Sequence, residues 1–156
     1  MHSIILQIST SPISEDTFFD FDRYQDDFVP AHADSVCLLS EEEKANALEE
    51  FSSNAVSFDA ASGKMSILDK EAWFKPKYEE FIQEATKLSN WSFEDFLEIS
   101  YRPFSVSSLY QDEYGIYVDV LEEPYHFSYL QPLDRFLRSH KDGEEFYIGS
   151  VFDYHV

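Results

Sequence analysis

Cysteine and glycine are scarce in this sequence, which has one cysteine and four glycines in 156 residues. Because Cys37 has no second cysteine to pair with, an internal disulfide is excluded and a reducing compartment is expected. The glycines are Gly63, Gly115, Gly143 and Gly149, and no two of them have the spacing of a phosphate-binding loop. We therefore expect no Walker or Rossmann nucleotide site and no bound cofactor.

Long hydrophobic runs and targeting signals are also missing. The N-terminus, MHSIILQIS, has only a short apolar run, without a basic region before it or a small-residue cleavage site after it. Nothing later in the chain approaches the roughly 18 apolar residues of a membrane span. These features predict a soluble, cytoplasmic protein that does not bind membranes.

Basic residues are few, with 11 Lys and Arg against 31 Asp and Glu, for a formal net charge of −20. Such a charge repels nucleic acid and anionic lipid, so direct binding to either is not expected. The same field attracts basic proteins, especially those that normally bind phosphates. Halophilic adaptation is an alternative, but an acidic surface for solvation does not require a chain that is 17% aromatic.

The patterns of apolar residues predict a mixture of strands and helices. Alternation predicts strands near residues 3–9 and 114–122 and two short strands around Val56 and Phe58 and around Met65 and Ile67, joined by a glycine turn at Gly63 in a β-hairpin; a further strand is predicted at 146–155. Helical spacing and capping residues predict helices at about 41–52, 76–88, 93–97 and 132–137, and favour a short helix over an extended segment within residues 15–28. We expect one α+β domain over residues 1–156, with a mainly antiparallel sheet of about five strands packed with three to four helices.

The stretch EDTFFDFDRYQDDF, residues 15–28, contains six carboxylates, five aromatic rings and a single cation, Arg23. Carboxylates at this density suggest a site for a hard cation, but the spacing does not fit a calcium loop. Counted from Asp20, Gln25 takes the place of the required glycine and Ala31 that of the bidentate glutamate. We predict no dedicated metal site; loose binding of Ca²⁺ or Mg²⁺ remains an open alternative.

No catalytic signature is visible. Cys37 follows His32 by five residues, but a lone cysteine among Val and Leu residues favours a small core side chain over a nucleophile. Asp153, His155 and His126 could form a histidine and carboxylate site, yet they lack any recognised metal-ligand spacing. We predict that the protein is not an enzyme; a divalent-metal enzyme using scattered Asp, Glu and His is the alternative.

Half of the net charge lies in the first third of the chain, where residues 1–54 hold 12 acids and 2 bases. The predicted helix after Ser40 has five glutamates against Lys44 alone, whereas the helix at Pro76 nearly balances its own charges. On a helix, acids four residues apart lie about 5 to 6 Å from each other, close to the spacing of phosphates along one nucleic-acid strand. This unbalanced region is the predicted partner surface.

The composition therefore favours an acidic binding protein that occludes a basic surface of a nucleic-acid-handling protein. It would act as a nucleic-acid mimic encoded by a phage or mobile element, or as an immunity protein against a nuclease toxin. A scaffold domain whose charge serves solubility only is a further alternative, and the oligomeric state is left open. The predicted partner-binding acids are Asp16, Asp20, Asp22, Asp26, Asp27, Glu42, Glu49 and Glu50, with Phe19 and Tyr24 as apolar anchors.

Overall fold

The computed structural model describes residues 3–26, 29–30, 33–98, 115–122 and 130–155. Its strands are β1 (Ser3–Ser9), β2 (Ser35–Leu38), β3 (Val56–Asp59), β4 (Lys64–Ile67), β5 (Ile116–Val120), β6 (Gln131–Pro132) and β7 (Glu145–His155). Its described α-helices are α1 (Glu41–Phe51), α2 (Lys70–Ser89), α3 (Phe93–Glu98) and α4 (Leu133–Ser139).

The strands form one seven-stranded sheet in the order β3-β4-β7-β1-β5-β6, with β2 also paired to β7. β1 and β5 are parallel and the other pairs are antiparallel. The α+β prediction is confirmed, but the prediction of about five strands is wrong. The two unpredicted strands are β2, in which Val36, Cys37 and Leu38 are consecutive apolar residues without alternation, and β6, which has only two residues and contains a proline.

β7 is the longest described strand and pairs with three others. β1 pairs with one side of it, while β4 and β2 pair with its first and last residues on the other side. The register between β1 and β7 shifts between Leu6 and Ile8, next to Gly149 in β7. All seven residues of β1 are buried because this strand lies between β7 and β5 with both faces covered.

Alternation along β1 divides its side chains between the two faces of the sheet. Ile4, Leu6 and Ile8 lie on one face, which also carries Phe146 of β7; the Phe136 ring of α4 packs there, 5.0 Å from the Phe146 ring. Ile5 and Gln7 lie on the opposite face, where the register of β5 and β7 adds Asp119 and Ser150, respectively. This second face is therefore partly polar although it is buried.

Local capping signals are confirmed where the chain makes its own hydrogen bonds. Ser40 accepts from the backbone N–H of Glu43, and the Glu43 carboxylate accepts from the backbone N–H of Ser40, which begins α1. Ser92 and Asp95 exchange the same pair of bonds before α3. Gly63 has a φ of +63° in the turn between β3 and β4, as the hairpin required.

Two local predictions are wrong because neighbouring elements decide the conformation. α2 begins at Lys70 rather than at Pro76, and Asp142 accepts a hydrogen bond from the Lys70 backbone N–H at this start. Cys37 is exposed rather than in the core. It alternates with buried Val36 on β2, and its own face of the strand is not covered.

The chain divides into two compact units, residues 1–70 with 114–156, and residues 71–113. The first unit contains the sheet, α1 and α4. In the second, no residue of α2 is buried, and α3 follows after a short connection. The expectation that residues 1–156 form a single domain stays a prediction.

Candidate functional site

The described part of the acidic stretch, residues 15–26, is called the acidic strap below. It contains two short 3₁₀ turns, Glu15–Thr17 and Phe21–Tyr24, separated by extended backbone at Phe18 and Asp20. The sequence predicts a short helix in this stretch with α-helical spacing; the described residues form these two 3₁₀ turns instead. The strap instead offers its backbone groups to side chains of the sheet.

Gln7 and Ser150 hold the first half of the acidic strap on the polar face of the sheet. The Gln7 Nε2 donates to the Thr17 carbonyl at 2.8 Å, and its Oε1 accepts from the backbone N–H groups of Phe19 at 3.1 Å and Ser150 at 3.0 Å. The Ser150 hydroxyl donates to the Phe19 carbonyl at 2.7 Å. These bonds replace the ladder that a paired strand would provide, so buried polar side chains substitute for backbone pairing.

Asp119 holds the second half of the acidic strap. Arg23 donates to it from Nε at 2.7 Å and from a terminal nitrogen at 3.1 Å, which is a bidentate ion pair. The Tyr24 hydroxyl donates to the same carboxylate at 3.0 Å, and the Arg23 guanidinium stacks 3.6 Å above the Phe19 ring. The single cation of the strap is thus committed to an internal acid.

The pKa values of these groups follow from their surroundings. Burial lowers the pKa of Arg23, but the hydrogen bonds and charge of Asp119 outweigh burial, and the net pKa is raised. Burial is the largest cause that raises the pKa of the Tyr24 hydroxyl, and the charge of Asp119 raises it further. Arg23 therefore stays charged and Tyr24 stays a hydrogen-bond donor at every physiological pH.

The two predicted apolar anchors do not lie free on the surface. Tyr24 is 3% exposed and belongs to a core cluster with residues of β1, β2 and β7; its ring lies 4.9 Å from that of Phe152. Phe19 is half-buried against the same cluster and under Arg23. Among the strap rings whose burial the structure describes, Phe18 is the exposed one, at 36% exposure. Phe18 is therefore available for an apolar contact with a partner.

The predicted acids of the acidic strap all lie on the outside. Asp16, Asp20, Asp22 and Asp26 are exposed, and none of them forms an ion pair with any part of the chain that the structure describes. Asp27 lies outside the described residues. The strap thus pairs its cation with a buried acid and leaves its described carboxylates exposed and without ion pairs.

Helix α1 brings further acids beside the strap. The Lys44 ammonium lies 5.7 Å from the centre of the Phe18 ring, so the first turns of the helix border the strap. Lys44 also pairs with Glu41 at 3.8 Å. Glu42 is exposed in this part of the helix, while Glu49 and Glu50 are exposed at its far end, about 10 Å further along. The structure joins the strap to the first turn of α1 but separates Glu49 and Glu50 from it.

Sequence reasoning missed the three residues that hold the strap: Gln7, Asp119 and Ser150. Each is a polar residue inside an otherwise apolar strand, and each is at most 5% exposed. The alternation placed Gln7 and Asp119 on a consistent side of their strands, but nothing local indicated that this side is covered. A polar residue inside an otherwise apolar strand is the sequence feature that could have indicated a side chain holding another segment, because a buried polar group needs a hydrogen-bond partner.

Other candidate chemistry is limited in the described ranges. His155 Nε2 lies 3.0 Å from Asp153 Oδ2 at the end of β7, as their spacing suggested. No group of three or more His, Cys, Asp or Glu residues in these ranges is arranged to hold a metal ion. Likewise, no described helix has the length and apolar character needed to cross a membrane.

Comparisons of the chain with protein-family models, with curated proteins and with solved structures gave no match.

Proposed function

We propose that this protein is a non-catalytic binding protein of the cytoplasm that occludes a basic surface of a nucleic-acid-handling protein. It would be a nucleic-acid mimic of a phage or mobile element that inhibits a defence nuclease, or an immunity protein that neutralises a nuclease toxin. The observation that supports the proposal is the division of charge in the acidic strap. Its one cation, Arg23, is bound by buried Asp119, whereas its described carboxylates face solvent without ion pairs.

The conformation of the strap favours imitation of the negative charge of a nucleic acid rather than of its phosphate spacing. The strap is not an α-helix, so the phosphate-like spacing of acids four residues apart does not apply to it. What the strap offers is a fixed negative surface, extended by Glu42 on α1. Because side chains of the sheet hold the closed strap, its binding to a partner costs less conformational entropy than the binding of a free acidic peptide would.

The free energies of exposed ion pairs and the long-range field indicate how such a surface would contribute to affinity and to the rate of association. An exposed ion pair contributes at most about 1 kcal/mol, so affinity requires several pairs together with an apolar contact such as Phe18. The long-range field contributes mainly to the rate of encounter, which falls as salt rises. We therefore expect association with the partner to be fast at low ionic strength and strongly salt-dependent.

The test compares two variants with equal charge. The strap variant carries Asp16→Asn, Asp20→Asn, Asp22→Asn and Asp26→Asn. The control variant carries Glu71→Gln, Glu79→Gln, Glu80→Gln and Glu94→Gln, which are exposed acids outside the strap and α1. Each protein is used to capture partners from native-cell extract; the captured protein is then purified, and its affinity for each variant and its binding to DNA or RNA are measured.

We expect the strap variant to lose at least about tenfold in affinity and the control variant to lose little, because local contacts exceed the effect of net charge. The captured protein should handle nucleic acid and lose that activity when bound. Equal losses in both variants would show that only total charge matters, and would favour the scaffold or solubility alternative. A captured partner that does not bind nucleic acid would contradict the proposal.

A further inference from the structure

The acidic strap is attached to the sheet by side chains rather than by backbone pairing. Among the described residues, no backbone–backbone hydrogen bond joins residues 15–23 to a strand. The strap's own backbone bonds close single turns, such as Arg23 N–H to Asp20 carbonyl at 3.4 Å. An element without backbone bonds to its neighbours opens more readily than a paired strand, and in the strap the buried Tyr24 ring and the half-buried Phe19 ring oppose opening.

Charge repulsion acts against this attachment. Glu15, Asp16, Asp20, Asp22 and Asp26 are exposed on a segment of twelve residues, without a free cation among them. Like charges at such separations repel each other within the Debye length, which is about 10 Å at 0.1 M salt. The Arg23 and Asp119 pair is screened much less because Asp119 is buried. Repulsion that favours an open strap is therefore opposed by one ion pair, whose carboxylate is buried, and by the rings of Phe19 and Tyr24.

We propose that the acidic strap opens from the sheet as a unit, that the Arg23 and Asp119 ion pair is the latch that closes it, and that the closed strap is the form a basic partner recognises. The last part rests on the proposed function; the first two do not. A basic partner neutralises the repelling carboxylates and so stabilises the closed strap. By linkage, the closed strap binds that partner more tightly.

If Arg23 is the latch, replacing it should lower the affinity for a basic partner, although the loss of its positive charge alone would raise that affinity. Replacing Arg23 removes a positive charge from the surface, and charge alone would then strengthen attraction to a basic partner. Loss of the latch frees the strap, so the ordering cost of binding rises and affinity falls. Arg23 is thus a positioning residue for the acidic surface rather than a contact residue.

The test is hydrogen exchange measured by mass spectrometry on the whole chain. Arg23→Met removes the latch, and Lys64→Met is the matched control, because it also removes one cation and breaks an ion pair, that of Lys64 with Glu145 at 3.2 Å. We expect Arg23→Met to speed exchange in the strap by at least about tenfold while α1 and the β3–β4 hairpin keep their rates. Lys64→Met should leave the strap unchanged.

Unchanged strap exchange in Arg23→Met, or an equal increase in every element, would overturn the latch. Arg23→Lys keeps the charge but loses the bidentate geometry, so it should give an intermediate rate. If Arg23→Met does not fold, the comparison of Arg23→Lys with wild type decides: a faster strap beside an unchanged hairpin supports the latch, and equal rates contradict it.

Two further conditions use the wild-type chain and need no identified partner. Raising NaCl from about 0.02 to about 0.3 M should slow exchange in the strap, because screening removes repulsion. Adding a decalysine peptide at low salt should also slow it. Strap exchange that does not change with salt would contradict the role of repulsion. Strap exchange that does not change with decalysine would contradict the link to a basic partner; the latch is tested separately by Arg23→Met and Arg23→Lys.

Discussion

Asp119 differs from the exposed acids of the strap because it is buried and its charge is engaged by hydrogen-bond donors. It is 2% exposed, and Arg23 and Tyr24 both donate to it. Removing one partner of such a pair leaves an unpaired buried charge, whereas the intact pair contributes little net stability, since desolvation offsets attraction. The pair is therefore better understood as fixing where the strap lies than as stabilising the whole fold.

Gly149 provides a prediction at this same residue scale. A Cβ atom at this position would lie 2.8 Å from Gln7 Cδ, closer still to Gln7 Oε1, and 3.1 Å from Ile13 Cδ1. Gly149→Ala must therefore displace the Gln7 amide and break its bonds to Phe19 and Ser150. We expect a loss of about 1 to 3 kcal/mol in the free energy of unfolding, measured by urea denaturation, together with faster exchange in the strap.

Gly63→Ala is the matched control for that substitution. Nothing lies within 4 Å of a Cβ at this position, but its φ of +63° disfavours alanine. It should lower stability by about 1 kcal/mol without changing exchange in the strap. If both variants affect the strap alike, the contact of Gly149 with Gln7 is not what holds it.

At the edge strand β3, the backbone groups that face away from the sheet are hydrogen-bonded by nearby residues of the same chain. The N–H and carbonyl groups of Val56 and Phe58 point away from β4, because the bond from Leu68 N–H to the Ala55 carbonyl sets the alternation. Ser52 and Ser53, just after α1, bond to these groups. The edge therefore offers no free row of backbone groups to another strand.

Ser52→Ala tests this closure at the scale of the element. The Ser52 hydroxyl contacts the Phe58 N–H at 2.9 Å, the Phe58 carbonyl at 3.2 Å and the Leu48 carbonyl at 2.9 Å. Its removal leaves buried groups of β3 unpaired, so we expect a loss of about 1 to 3 kcal/mol by urea denaturation and more aggregation on heating, followed by light scattering. Ser57→Ala, in the same strand, is the control; an equal loss there would show that the edge bonds are unimportant.

At the scale of the whole molecule, the formal charge of −20 opposes folding. The cations of the described ion pairs Arg23–Asp119, Lys44–Glu41, Lys64–Glu145, Lys87–Glu84 and His155–Asp153 each pair with one acid, and most of these pairs are exposed. Exposed pairs contribute little, so they do not compensate for the repulsion among the remaining acids. The aromatic and aliphatic core must supply the opposing free energy.

We expect the melting temperature of the protein to rise between about 0.01 and 0.15 M NaCl, because the Debye length shortens and repulsion weakens. Differential scanning calorimetry at constant pH would measure it. The variant with four Glu→Gln changes in α2 and α3 should melt higher at low salt and respond less to salt. A melting temperature independent of salt in both proteins would contradict a destabilising field.

Much of the local structure could be predicted from residues close together in the chain. The capping box at Ser40, the glycine turn at Gly63 and the strands β5 and β7 depend on neighbouring residues, and these predictions are confirmed. The α+β class follows from the same patterns. The start of α2 and the form of the strap could not be predicted this way, because distant residues bond to their backbones.

The sequence by itself determined the excess of acids, their concentration in the first third of the chain and most strands and helices, since these depend on composition and short-range spacing. Only the tertiary structure decided which charges face outward. Arg23 and Asp119 are separated by 96 positions, and they meet because β5 pairs in parallel with β1 and the strap crosses the same face of the sheet. A pairing at that separation has no local signal, because its free energy depends on burial that only the assembled sheet provides.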